Sequence, residues 1–396
     1  LKLSDSSDPK KWIGGIIDAC PRRVAGSESE RRAHEMMQAD AEALGLTVTL
    51  RPFRHNRSLY ANMALHFAIA LVGTALLPVA PIASLVIHLF VVVSYWLESN
   101  KKAMVLRHLF PFHDSQNLIA THPAKSALRK RIVFVSHIDA AFTGWVFHPT
   151  MIKLATAPPP IKALEFMRKS MLVGTLSVFL LALLDVAAIV LQTPTWLMIT
   201  ASLLSIPAFL TMAMNGQVVL NNTVVPGAND NLTGCWANLE LARRLVPDCP
   251  EDIELVFVAT GCEEAGTGGA WALSKQVEGE WSKENTYIMG IDSLTNGTLR
   301  RFIEGELLTV PPPRELSQVM EEHVPEVPPF QIPSGATDSL PFLIRGWQAA
   351  SFGCVDEEIG APRNYHWPTD NVENLDTEQL DTSVAQIERV ARALFD

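Results

Sequence analysis

Five short stretches place side chains with acid–base or metal-ligand chemistry at the ends of apolar runs. "VFVSHIDAA" supplies His137 and Asp139, "VVPGANDNLTG" supplies Asp230, and "VFVATGCEEAGTGGA" supplies the adjacent pair Glu263 and Glu264. "MGIDSL" supplies Asp292, and "NYHWPTDN" supplies His366 and Asp370. Taken singly, each has an ordinary explanation, because a strand-end aspartate often caps a turn or helix. Five such termini in one sheet are harder to dismiss, since unpaired buried charge is costly. Imidazole mixed with carboxylate suits zinc, and a shared carboxylate suits two metals about 3.5–4 Å apart. Of the adjacent glutamates, one can then bind metal while its neighbour takes a proton from an acidified water.

These termini need a scaffold, and the chain reads as α/β. Strands are expected at "LTVTLRPF", "QNLIATH", "RIVFVSHID", "DIELVFVAT" and "TYIMGIDSL". Helices are expected at residues 28–45, with Gly45 as the stop signal, at "GCWANLELARRLV" and at "TEQLDTSVAQIERVARALF". Strands alternating with helices predict a buried sheet covered on both faces, with sites at its carboxyl edge. Proline-rich "TVPPPREL" and "VPEVPPFQIP" are read as loops.

Two blocks interrupt this pattern. Residues 62–97 contain no Lys, Arg, Asp or Glu and break at Pro78 and Pro81 into apolar halves. Residues 171–214 break at "QTPTW", with Asp185 as the one charge. Each is read as a transmembrane hairpin, since core helices seldom lack a polar face over four successive segments. Tyr95, Trp96 and Trp196 stand at plausible interfacial depths. Arg51, Arg54, Arg57, Lys101, Lys102 and Arg107 flank the first hairpin; Lys153, Lys162, Arg168 and Lys169 precede the second. Neither tip carries Lys or Arg, which predicts an integral membrane protein with its catalytic domain on the cytoplasmic side. That domain is assembled from residues 1–60, 99–170 and 215–396, with the hairpins at 61–98 and 171–214. Asp185 is expensive at mid-span, so it either pairs with a neighbouring helix or faces a cavity and supports substrate binding. His66 and His88 are read as packing or interfacial residues.

Composition agrees. The 396 residues are 48% hydrophobic, with a formal net charge of −10 that argues against nucleic acid as partner. Five dispersed cysteines suggest free thiols in a reducing compartment. The polar start "LKLSDSSDPKKW" shows no signal-peptide core.

In order, "PRRVAGSESERRAHEMMQADAEALG", "NLIAT", "VSHIDA", "PGANDNLTG", "CEEAGTGG", "GIDS", "SGATDSLPFLIRG" and "YHWPTDNVENLD" resemble the zinc aminopeptidase family. That family also includes glutamate carboxypeptidase, glutaminyl cyclase and the transferrin receptor ectodomain. The resemblance spans nearly the whole chain outside the two apolar blocks. It implies a mixed central sheet sandwiched by helices and a centre of two Zn²⁺ ions. By position, His137 and Asp292 would bind the first zinc, Glu264 and His366 the second, and Asp230 both. Glu263 would be the general base, and Asp139 the carboxylate that orients the His137 imidazole. Asp338 and Asp370 resemble positions that support the site or bind substrate.

The chain departs from that pattern at the hairpins, which interrupt the domain where soluble relatives have loops. The second lies between His137 and Asp230, so the membrane block is expected beside the active site. The leading expectation is a membrane-integrated two-zinc aminopeptidase for hydrophobic peptides. A lipid-linked amide, such as an N-acyl amino acid or aminoacyl lipid, is the alternative substrate. The glutaminyl cyclase branch uses one zinc, which the full ligand set disfavours, and a metal-free scaffold would not need these ligands. Two local patterns fail: "HEMMQ" has Gln38 where a zincin helix needs histidine. The sequon at Asn231 lies inside the Asp230 motif, where a glycan would block the site.

Overall fold

The computed structural model describes residues 7–192, 194–333 and 335–396. The first six residues of the polar start, Thr193 in the second expected break, Ser334, and the side chains of Lys162 and Ala163 lie outside the described residues. In chain order the strands are β1 (Thr47–His55), β2 (His113–His122), β3 (Lys130–His137), β4 (Phe142–Thr143), β5 (Thr223–Val224) and β6 (Ile253–Thr260). They continue with β7 (Thr286–Ile291), β8 (Thr298–Ile303), β9 (Pro329–Gln331) and β10 (Gln348–Val355). Eight form the main sheet in the order β1-β2-β6-β3-β7-β10-β8-β9, and β4 pairs with β5. At its centre β6, β3, β7 and β10 run parallel, with antiparallel neighbours at β2 and β8.

Alternation along the central strands splits the core in two. Ile132 and Phe134 of β3 with Leu255 and Phe257 of β6 face one side. Val133 and Val135 with Val256 and Val258 face the other. The first face is covered by α1 (Pro9–Ala19), α2 (Glu28–Ala43), α9 (Thr233–Leu245), α11 (Arg314–His323) and α13 (Thr377–Ala393). The second is covered by α10 (Gly268–Gln276) and α12 (Leu340–Ile344). Both faces are therefore dry, as a parallel centre requires. Around its waist the sheet is the mixed, helix-sandwiched α/β architecture expected.

The apolar blocks form α3 (Leu59–Leu76), α4 (Pro81–Ser99), α6 (Ser170–Leu191), α7 (Thr195–Leu204) and α8 (Ile206–Asn221). A short α5 (Pro149–Thr156) lies between the two blocks, on the way from β4 to α6. Counting α7 and α8 as one span, four helices among the described residues are long and apolar enough to cross a membrane. α3 packs on α4 and α8, and α6 on the same two. Their outward faces carry exposed Val72, Ile82, Val86, Phe179, Leu183, Val190, Ile199 and Phe209, among others. Inside the bundle, Asp185, Ser84, His88, His66 and Ser94 find polar partners. Asp185 accepts Ser84 Oγ at 2.7 Å and lies 2.6 Å from His88 Nδ1, all three fully buried. His66 Nε2 meets Ser94 Oγ at 2.9 Å.

Several elements differ from expectation. Tyr95 is buried against the His66 and Phe67 rings instead of standing at an interface. The last span runs on to Asn221, beyond the expected end at 214. "VPEVPPFQIP" contains β9, which pairs with β8 at the sheet edge, where proline costs no interior ladder bond. "TVPPPREL" ends inside α11, whose start directly follows Pro313.

Candidate metal centre

The site grows from register. In the parallel run β6-β3-β7, His137 pairs across from Thr260, so β3 and β6 end side by side. His137 closes β3, Glu263 and Glu264 follow β6, and Asp292 follows β7. Three adjacent strands thus deliver imidazole and carboxylates to one carboxyl edge. The glutamates sit in a turn beyond the strand, not on it, so both can face the same centre. Asp230 arrives on the irregular turn 228–232 ahead of α9, where its peptide bond to Asn231 is cis. Gly227 enters that turn at φ +65°, and a Cβ there would stand 2.8 Å from the Asp230 carbonyl. Cys262, Ser293 and His366 also hold positive φ, at 56°, 58° and 49°. Such strain in non-glycine residues gathers where the surroundings over-determine the backbone.

The side chains converge. His137 Nε2 lies 3.1 Å from Asp230 Oδ1, 3.8 Å from Glu263 Oε2 and 3.9 Å from Asp292 Oδ2. His366 Nε2 lies 3.3 Å from both Asp230 Oδ2 and Glu264 Oε2. Among the described residues three ligand groups result: His137–Asp230–Asp292, Asp230–Glu264–His366 and His137–Glu263–Glu264. His137 Nε2 and Glu264 Oε1 are buried with no hydrogen-bond partner, although buried polar atoms rarely lack one. Nitrogen and carboxylate donors, orphaned and aimed together, fit a zinc site.

The sequence model of peptidase family M28 matches residues 192–391, half of the chain. The chain belongs to peptidase family M28. Aminopeptidase YwaD of Bacillus subtilis (strain 168) is 28% identical over 162 residues, 39% of this chain and 35% of that protein. The match thus spans about a third of the length of that curated relative. The fold resembles an aminopeptidase from Aneurinibacillus sp. strain AM-1, at 14% identity, TM-score 0.56 and coverage of 99% and 94% of the two chains. It also resembles the glutaminyl cyclase of Fimbriiglobus ruber, at 12% identity, TM-score 0.53 and coverage of 99% and 96%.

In this M28 chain, Asp139 does more than expected of it. Its Oδ1 and Oδ2 accept the N–H groups of Glu263 and Glu264, at 3.0 Å each. Its carboxylate stands 3.6 Å from His137 Nδ1, whose hydrogen bond goes at 3.3 Å to the Asp139 carbonyl oxygen instead. Asp139 therefore holds the glutamate turn and orients the imidazole through its backbone; it is a positioning residue. Asp370 accepts the N–H groups of Asn229 at 2.7 Å and Asp230 at 3.1 Å, which fixes the Asp230 turn. Asp338 accepts Thr260 Oγ at 2.6 Å and leaves Oδ1 unpartnered. Asp185 is not in this cluster; it belongs to the paired interior of the apolar helices. Asn231 of the sequon is fully buried and donates to the Ile291 carbonyl at 2.7 Å.

Electrostatics reflect a crowd of buried carboxylates. Burial raises Glu263 well above the usual carboxylate range; His137 opposes this, while Glu264, Asp338 and Asp292 reinforce it. Burial and then Asp230 push Asp292 up to about 7. Burial also pushes Asp338 up to about 7, and burial with Asp230 pushes Asp370 up to about 8. Burial disfavours charge on His366, but Glu264 and Asp230 outweigh it and lift the imidazole to about 10. His137 is raised in the same way, with Glu263 the foremost carboxylate acting against burial. Asp230 goes the other way: burial is outweighed by the adjacent imidazoles of His137 and His366. Protons retained on so many groups mark a cluster with surplus negative charge, which a divalent cation would relieve.

Sequence reasoning missed several residues. Glu30, buried on α2, accepts Cys262 N–H at 2.8 Å, Ser115 Oγ at 2.7 Å and Gly26 N–H at 3.0 Å. Arg23 is fully buried and donates to the carbonyls of Ile138 and Pro226, at 3.0 and 2.8 Å, tying the His137 and Asp230 segments together. An available signal for Glu30 was its place on the buried stripe of α2 with Ala33, His34 and Met37. Tyr60, in the first turn of α3, and Phe147, from the segment before the second hairpin, complete an aromatic wall with Tyr365. The Phe147 ring lies 4.5 Å from His366, 6.0 Å from Tyr60 and 5.8 Å from Tyr365.

Proposed function

We propose that the protein is a membrane-integrated aminopeptidase whose centre takes two zinc ions and whose substrates are hydrophobic or membrane-associated peptides. The observation that carries this is the position of Asp230, whose two oxygens face His137 and His366 from opposite sides. His137, Asp292 and Asp230 would hold one ion, and His366, Glu264 and Asp230 the other. When bound, the metal pair polarises the scissile carbonyl and acidifies water.

The remaining chemistry belongs to the chain. Glu263 has an oxygen 3.8 Å from His137 Nε2 and stays outside both ligand sets. Its raised pKa suits a base that accepts a proton from water and passes it to the leaving amine. Asp139 fixes the glutamate backbone, and Asp370 the Asp230 backbone, so that neither carboxylate must reorganise during reaction. The wall of Tyr60, Phe147 and Tyr365 excludes water and favours an apolar substrate group.

The four apolar helices with outward-facing aliphatic side chains support insertion into a lipid bilayer, and the basic flanks support a cytoplasmic catalytic domain. A lipid-linked amide is the second reading, favoured by Tyr60, which sits on the first apolar helix and also lines the site wall. Hydrolysis of aminoacyl amides, N-blocked peptides and N-acyl amino acids by detergent-solubilised protein tests both. Cleavage confined to free-amine substrates supports the aminopeptidase. Cleavage confined to acylated substrates overturns it in favour of the amidase.

A further inference from the structure

The turn that carries the two glutamates is held on its inner side by Asp139 and Glu30. Its outer side is held by something else. Gly266 and Thr267 donate back to the Glu263 carbonyl at 2.8 and 2.6 Å, while His55 Nε2 lies 3.1 Å from the Ala265 carbonyl oxygen and Thr267 Oγ1 donates to that of Gly266 at 2.8 Å. Both of these carbonyls are also taken by cations from the segment that follows the first hairpin. Arg107 Nη1 donates to Ala265 O at 2.6 Å and to Asn56 O at 2.9 Å. Lys101 Nζ donates to Gly266 O at 3.1 Å. Arg107 and Lys101 are 2% and 7% exposed, so neither is a solvent-facing charge that touches the turn by chance.

Each cation is anchored in turn. Arg107 Nε pairs with Glu98 in the last turn of α4, and Lys101 pairs with Glu306. Glu98 also accepts Asn62 Nδ2 of α3 at 2.8 Å, so both helices of the first hairpin feed one carboxylate. The chain of contacts runs from α3 and α4 through Glu98 and Arg107 to the residue after Glu264. Hydrogen bonds with an ionised partner are the stronger kind, and a buried one is costly to break.

We propose that Arg107, anchored by Glu98 and seconded by Lys101, is a positioning residue for the Glu263–Glu264 turn. Through it the first apolar hairpin sets the placement of a metal ligand and of the base. The proposal rests on the function proposed above for its catalytic half, but its metal half can be read alone.

The test uses the full chain in detergent with Arg107→Ala, Arg107→Lys, Glu98→Gln and Lys101→Met. Zinc retention against a graded chelator is measured beside kcat and KM. Arg107→Ala is expected to release zinc at a chelator concentration at least tenfold lower, and to lower kcat tenfold or more with KM changed less than twofold. Arg107→Lys should recover part of both losses, and Glu98→Gln and Lys101→Met should move both in the same direction by less. Should Arg107→Ala not fold, Glu98→Gln and Lys101→Met decide. Wild-type zinc retention in the folded variants overturns the proposal, as does a loss that lysine at position 107 does not partly recover. Because zinc retention needs no substrate, a wild type that cleaves nothing would count against the proposed reaction and not against this role.

Discussion

Asp370 accepts the backbone N–H of Asp230 at 3.1 Å, and by doing so holds the one carboxylate that both histidines face. The Asp370 carboxylate itself bonds to backbone N–H groups and acts on the centre through the Asp230 main chain. Asp370→Ala should therefore weaken zinc binding by about 10–100-fold, the range for lost outer partners, while folded protein is retained. Equilibrium dialysis against zinc checks this, and unchanged affinity would remove Asp370 from the centre's support.

Asp230 stands in both proposed ligand sets, whereas His366 stands in one. Asp230→Ala should abolish bound zinc, while His366→Ala should leave about one ion of the two. Metal analysis after gel filtration reads the difference. Equal stoichiometry in the two variants would contradict a shared carboxylate.

In metal-free protein the buried carboxylates should cost stability as pH rises. Glu30, Asp292, Asp338 and Asp370 are raised to about 8, 7, 7 and 8, so at these groups the folded state binds more protons than the unfolded one between pH 4 and 8. Buried His34 and His55, lowered to about 4 and 3, act oppositely with or without zinc and so cancel between zinc-loaded and metal-free protein. The contribution of the four carboxylates is present below the unfolded pKa values and is lost as pH rises through the folded ones. The raised imidazoles of His137 and His366 act with the same sign. Asp230 is lowered and acts oppositely, but its loss comes below pH 4. Zinc replaces those protons, so the difference in Tm between zinc-loaded and metal-free protein should widen from pH 5 to pH 8. Thermal scans at both pH values measure it; a gap that narrows would contradict the charge balance.

Within the apolar helices, Asp185 and His88 are fully buried and 2.6 Å apart. Asp185→Leu should cost about 3–5 kcal/mol, the range for stripping one partner from a buried pair. Asp185→Leu with His88→Leu should recover most of that loss, and zinc content should stay at the wild-type level in both. Unfolding in detergent tests the pair, and a single variant as stable as wild type would show that it stabilises nothing.

Much of this was legible in the sequence, and the limits have physical reasons. His137, Glu263, Glu264 and Asp292 could be found because apolar strand runs stop abruptly there, and with Asp230 and His366, which stand in turns, they all lie together in the fold. The α/β sandwich followed from alternating strands and helices. Asp139 was found as a site residue but not as the clamp on the glutamate turn, because backbone acceptors leave no mark in a sequence. Arg107 read as an ordinary flanking charge and Glu98 drew no reading, and only packing brings Arg107, held by Glu98, to the Ala265 carbonyl. β9 hid behind prolines that an edge strand tolerates.

The most direct measurement is hydrolysis of a free-amine aminoacyl amide by wild type and Glu263→Gln, with metal content determined on the same samples. Two zinc ions in each, with turnover in wild type and a loss of about 10²–10⁴-fold in the variant, is the predicted result. Equal turnover in the two proteins at equal metal content would contradict the assignment of Glu263 as the base, and with it the proposed reaction.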